Sequence, residues 1–144
     1  MKVPNFLALH DFIQWLFPLP EPSQFNPDAP LLTEADIAAF KSDPVLQANL
    51  LKSFQRILSF LGLSLAGDGE VVDGDNLPAR IPYVWAMMNH NWLRITRILR
   101  SLTLVGMDSQ AEALYEGLAD FYTSRKFPIT ANTFQYWTEA VKTT

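Results

Sequence analysis

Apolar residues recur along this chain at intervals of three and four, the spacing that gathers side chains on one face of an α-helix. Phe6, Leu9, Ile13, Leu16 and Phe17 predict a short helix over Asn5–Phe17, stopped by Pro18, Pro20 and Pro22. Residues 18–32 hold five prolines and predict an extended connector, because proline cannot continue a helix and biases its predecessor away from helical geometry. Thr33, with Asp36 three residues on, opens a helix that ends near Ser42 through a weak form of the capping box. Asp43 followed by Pro44 starts the next, an N-cap and then a first-turn proline whose missing N–H costs nothing there. Leu46, Leu50, Phe54, Ile57, Leu58 and Leu61 give that helix a broad core-facing stripe up to Gly62, its expected C-cap.

The text then changes. Residues 63–82 are rich in glycine, aspartate and asparagine and predict a long acidic loop, the most mobile part of the chain, with Glu70–Asp73 as a possible minor strand. Periodicity returns at Asn89. Trp92, Ile95, Ile98, Leu99, Leu102 and Val105 fall on one side of a helix over Asn89–Val105, while Leu93, Leu104, Arg97 and Arg100 fall on the other. Apolar residues on both sides mark this helix as central. Gly106 ends it; Asp108 or Ser109, with Glu112, is expected to start the next, which carries Leu114, Leu118 and Phe121 to about Arg125. Pro128 breaks that element, and Thr130 or Asn132 caps a last helix bearing Phe134, Trp137 and Val141. The pattern predicts an all-α single domain, a bundle of five to six helices around Asn89–Val105.

Composition narrows the function classes. A chain of 144 residues is long enough for one core without covalent staples, and cysteine is absent, which removes disulfides, thiolate metal sites and a cysteine nucleophile. The formal net charge of −4 argues against a protein that grips nucleic acid through many phosphates. The longest apolar stretch, Ile57–Ala66, is too short to span a bilayer, and the N-terminal residues lack the features of a signal peptide, so the expectation is a soluble, cytoplasmic protein.

No catalytic apparatus is legible. His10 and His90 lack zinc-ligand spacing, and no serine sits in a nucleophile elbow, so a triad of Ser101, His90 and Asp11 exists only on paper. Gly67, Gly69 and Gly74 lie among acids that would repel phosphate. The expectation is therefore no cofactor, no metal and no enzyme. The residues singled out for ligand binding are Asp11, Gln14, Trp15, His90, Asn91, Arg94 and Arg97. Asp11 and Gln14 form a polar window on an aromatic helix, and Arg94, Arg97 and Arg100 recur along the central one, so Asp11 is a candidate partner for Arg94 or Arg97. Trp15, Trp85, Trp92 and Trp137 either line a groove for an aromatic-rich peptide or, as aromatics at helical spacing more commonly do, fill the core.

Two stretches carry a family resemblance. His10–Leu19 (HDFIQWLFPL) and the run from Asn89 to Gly106, with its Asn-His-Asn start and Leu93-Arg94-Ile95-Thr96-Arg97-Ile98-Leu99 core, resemble the conserved domain of the opioid growth factor receptor family. The resemblance covers roughly Asn5–Phe121. It implies a receptor-like domain for an opioid-type peptide, associated in animal members with the nucleus and its envelope and unrelated to seven-helix receptors. No long low-complexity tail follows, which suggests a bare-domain, microbial-type member. A peptide amino terminus held there would want a carboxylate beside an aromatic wall, and Asp11 with Trp15 is that pair. Two classes remain open: a non-enzymatic peptide- or protein-binding module, and a small enzyme or anion- or nucleic-acid-binding protein using Arg94, Arg97, Arg100, His90 and Asn91.

Overall fold

A computed structural model describes residues 31–142. The expected Asn5–Phe17 helix, almost all of the proline-rich connector, and the candidate residues His10, Asp11, Gln14 and Trp15 lie outside these.

Among the described residues the order is α1 (Glu34–Ser42), α2 (Pro44–Leu61), β1 (Leu63–Leu65), β2 (Val71–Asp73), a single turn α3 (Leu77–Arg80) running into a π-helical turn (Ile81–Trp85), α4 (His90–Leu104), α5 (Asp108–Thr123) and α6 (Ala131–Lys142). The fold is predominantly α-helical and forms one domain. The starts follow local chemistry. Thr33 and Asp36 close a complete capping box on α1, each side chain accepting from the other residue's N–H at 3.1 and 3.0 Å. Hydrogen bonding from Thr33, chiefly from its backbone N–H, holds the Asp36 carboxyl below the ordinary aspartate range. Asp43 caps α2 by accepting from the Val45 N–H at 2.8 Å, with Pro44 in the first turn.

Gly62 ends α2 in the left-handed region, with φ of 83°. A Cβ there would also stand 2.9 Å from the Leu77 Cα, so both the backbone angle and the close approach of α3 require glycine. Residues 63–82 are not loop throughout. Leu63, Ser64 and Leu65 pair antiparallel with Asp73, Val72 and Val71, and the Ala66–Glu70 turn is tied by Asp68 accepting from the Glu70 N–H. The expected minor strand at Glu70–Asp73 is thus present and has a partner. Leu77–Trp85 then winds helically back towards α2.

The three described tryptophans are core, not groove. Trp85, Trp92 and Trp137 are fully buried, and each indole N–H finds a backbone carbonyl on another element. Trp85 donates to Leu61 O at the end of α2 (2.7 Å), Trp92 to Val84 O in the π-helical turn (2.7 Å), and Trp137 to Trp92 O on α4 (2.9 Å). A chain of bonds therefore runs from α6 through α4 and the π-helical turn to α2, in a region where an unmet N–H is costly. Trp85 stacks on Phe127 and meets Phe121 edge-on.

Helix α4 is central, packing chiefly on α6 and α5. Its predicted inner face is buried in full: Trp92, Ile95, Ile98, Leu99, Leu102 and, just past its end, Val105. It closes in a Schellman motif, Met107 N–H to Leu102 O (2.9 Å) and Gly106 N–H to Thr103 O (3.4 Å), with Gly106 at φ of 85°. This overturns one expected start. The N-cap of α5 is the buried Met107, without a side-chain cap, because the Schellman turn leads straight into the next helix and places Asp108 already inside it. Thr130 caps α6 as expected, its hydroxyl accepting from the Thr133 N–H at 3.2 Å.

Candidate functional site

The Asn-His-Asn start of α4 divides its work. Asn89 is the N-cap: its Oδ1 accepts from the Asn91 N–H at 2.8 Å, while its Nδ2 donates to Val84 O and Met87 O, both at 2.8 Å. One side chain thus fixes both the start of α4 and the chain that delivers it. His90 is exposed beside it. Asn91 is buried and accepts from Arg94 Nη1 at 2.7 Å through its Oδ1, so the structure brings these two predicted residues together. Half-burial of the Arg94 guanidinium lowers its pKa from the ordinary arginine value. The Arg94 Nε is buried and has no hydrogen-bond partner among the described residues.

Arg97 and Arg100 lie further along the same helix. With Leu93 and Thr96 of α4 and Tyr136 of α6 they line a shallow hollow of about 330 Å³. Leu93 is 55% exposed and Tyr136 54%, so two large apolar groups stand at the surface beside arginine side chains. On the opposite side of α4, Leu93 is exposed and Leu104 half-buried, while α5 and α6 pack against the helix's inner face. The π-helical turn and the residues after it add a second apolar stretch, Tyr83, Met87 and Met88, all well exposed.

The triad that could be drawn only on paper is ruled out by geometry. Ser101 is buried and lies eleven residues along α4 from His90, about 16 Å at 1.5 Å per residue, so the two cannot share a proton. Among the described residues no three histidine, aspartate or glutamate side chains gather closely enough to hold a metal ion. No helix among them is long and apolar enough to cross a membrane.

Sequence reading missed Tyr136, Tyr83, Met87 and Met88. Tyr136 had a signal: it falls outside the Phe134, Trp137, Val141 stripe on which α6 packs. Met87 and Met88 had none, since their exposure follows from how Asn89 turns the chain.

Three comparisons bear on identity. The family described as "Opioid growth factor receptor (OGFr) conserved region" matches residues 5–144. The human protein named opioid growth factor receptor is 36% identical over 138 residues, 92% of this chain and 20% of that protein, and its rat counterpart is 35% identical over 137 residues, 92% of this chain and 23% of that protein. Mouse opioid growth factor receptor-like protein 1 is 38% identical over 101 residues, 69% of this chain and 21% of that protein. The chain spans about a fifth of the length of these relatives. No solved structure gives a significant match. The residues that carried the resemblance lie inside the matched range, and the chain belongs to the opioid growth factor receptor (OGFr) conserved-region family.

Proposed function

We propose that this domain is a non-enzymatic peptide- or protein-binding module and that the outer strip of α4, with Tyr136 of α6, is its binding face. The observation that carries this is the pair of half-exposed apolar side chains, Leu93 and Tyr136, beside guanidinium groups at one hollow. Apolar anchors with arginine at their edge are the composition of peptide- and protein-binding surfaces. A hollow of about 330 Å³ takes one or two side chains of a peptide. His90, Asn91, Arg94 and Arg97 contribute from the same helix, Asn91 by orienting Arg94. Asp11, Gln14 and Trp15 complete the proposed set of contacts, Asp11 as the carboxylate for a peptide amino terminus. The human relative is named a receptor for an opioid growth factor, which supports a peptide-like ligand here.

Titration calorimetry with an enkephalin-type peptide, beside a scrambled control, tests the ligand class. Saturable binding by the first alone is expected, and heat without saturation for both would remove the peptide reading. The Arg94 Nε, which has no partner among the described residues, favours a second reading, an anion or nucleic-acid site on the same helix. Single-stranded oligonucleotide binding whose affinity falls steeply with added salt would establish that reading instead.

A further inference from the structure

A second hollow, of about 670 Å³, lies where α5 turns into α6, lined by Tyr122, Arg125, Lys126, Phe127, Ile129 and Ala131 among others. It is remote in sequence from the outer strip of α4 and has a different chemistry. Half-buried Tyr122 supplies the apolar wall, with the buried Phe127 and Ile129 behind it, while Arg125 and Lys126 are exposed.

The two cations are not equivalent. Lys126 Nζ is bonded to Asp73 Oδ2 at 2.9 Å and stands over the Phe121 and Phe127 rings, 5.4 and 5.8 Å from their centroids. Its charge is already matched. The Arg125 side chain makes no hydrogen bond or ion pair with the described residues, so among them its positive charge is unmatched at the apolar wall. Arg125 also occupies a position that glycine would fill more easily. The end of α5 is a Schellman motif, Lys126 N–H to Phe121 O (3.1 Å) and Arg125 N–H to Tyr122 O (3.2 Å), and Arg125 takes the left-handed residue with φ of 56°. The same motif at the end of α4 uses Gly106.

We propose that this hollow binds a single carboxylate carried on an apolar group, the carboxylate meeting Arg125 and the apolar part lying against Tyr122, with Phe127 and Ile129 behind it. One uncompensated cation matches one negative charge, whereas a phosphate near neutral pH brings about −1.5 to −2. The wall is spent only if the acid has an apolar body. Such a group is an acidic side chain next to an apolar residue in a peptide, a peptide carboxyl terminus, or a free small acid.

The test is an amide NMR titration of the whole chain with acetyl-Phe-Glu-Leu amide, acetyl-Phe-Leu as the free acid, and 3-phenylpropionate, each beside its neutral amide counterpart, and with inorganic phosphate. Saturable shifts confined to residues 122–131 are expected with at least one acid and with none of the amides, and the tightest acid identifies the source. Arg125→Gly should weaken that binding about ten-fold, the loss of one charge-assisted contact, while raising Tm by about 2 °C as the left-handed residue becomes glycine. Arg125→Gln keeps the backbone demand and should weaken binding equally. No saturable shift, equal binding of the amides, tighter binding of phosphate than of any acid, or unchanged affinity in both variants would overturn the proposal.

Discussion

The two faces of α4 are made from the same helix and spent differently. On the inner face, Trp92, Ile95, Ile98, Leu99 and Leu102 are buried, and the Trp92 indole and carbonyl are both committed, to Val84 O and to the Trp137 N–H. On the outer face, Leu93 is exposed, Arg94 is held by Asn91 and its Nε has no partner among the described residues, and Arg97 and Arg100 border a hollow. The inner face has no free capacity, so it builds the fold. The outer strip contributes little to the core, and it is the face proposed to meet a partner. A helix that must do both keeps the tasks apart by the 100° step between successive side chains.

The largest break in this comparison comes from the inner face. Trp137→Ala empties a fully buried site against Trp92 and should destabilise by roughly 3–5 kcal/mol in urea unfolding, the range for a large aromatic removed from a packed core. Next is the junction that seats the π-helical turn. Gly62→Ala places a Cβ 2.9 Å from the Leu77 Cα and forces a left-handed alanine, so a loss of about 2 kcal/mol is expected in the same assay. The smallest effect belongs to the periphery and depends on pH. Asp36 has its carboxyl pKa lowered by hydrogen bonding from Thr33, chiefly from its backbone N–H, so the capping box stabilises α1 above the unfolded-state aspartate pKa and that stability is lost as pH falls through the lowered folded value. Amide shifts of Thr33 and Asp36 followed down the acid limb should report a midpoint below that of an unstructured aspartate, and Asp36→Asn should remove the transition.

Much of this was legible before any coordinates. The starts of α1, α2 and α6 were readable because Thr33, Asp43 and Thr130 are capping residues placed ahead of apolar stripes, and α4 because its period is unbroken. The β-hairpin was half hidden, since each strand is three residues long and the apolar pairs Leu63, Leu65 and Val71, Val72 are diluted by glycine and aspartate. The π-helical turn was not readable at all; Pro82 sits in its first turn and breaks the pattern a sequence search relies on. The start of α5 was misplaced because a Schellman turn hands the chain on without a polar cap. At the site, sequence proposed Asn91 and Arg94 and the structure joins them, but the hollow needed the packing of α6 on α4, which brings Tyr136 beside residues about 40 positions earlier.

The most direct test of the division between the two faces is the double variant Leu93→Ala/Tyr136→Ala, measured by thermal unfolding and by calorimetry against whichever peptide binds the parent chain. The account predicts stability within about 1 kcal/mol of the parent, the scale of two independent surface changes, with affinity reduced at least about ten-fold. Unchanged affinity, or a loss of stability as large as that of Trp137→Ala, would contradict it.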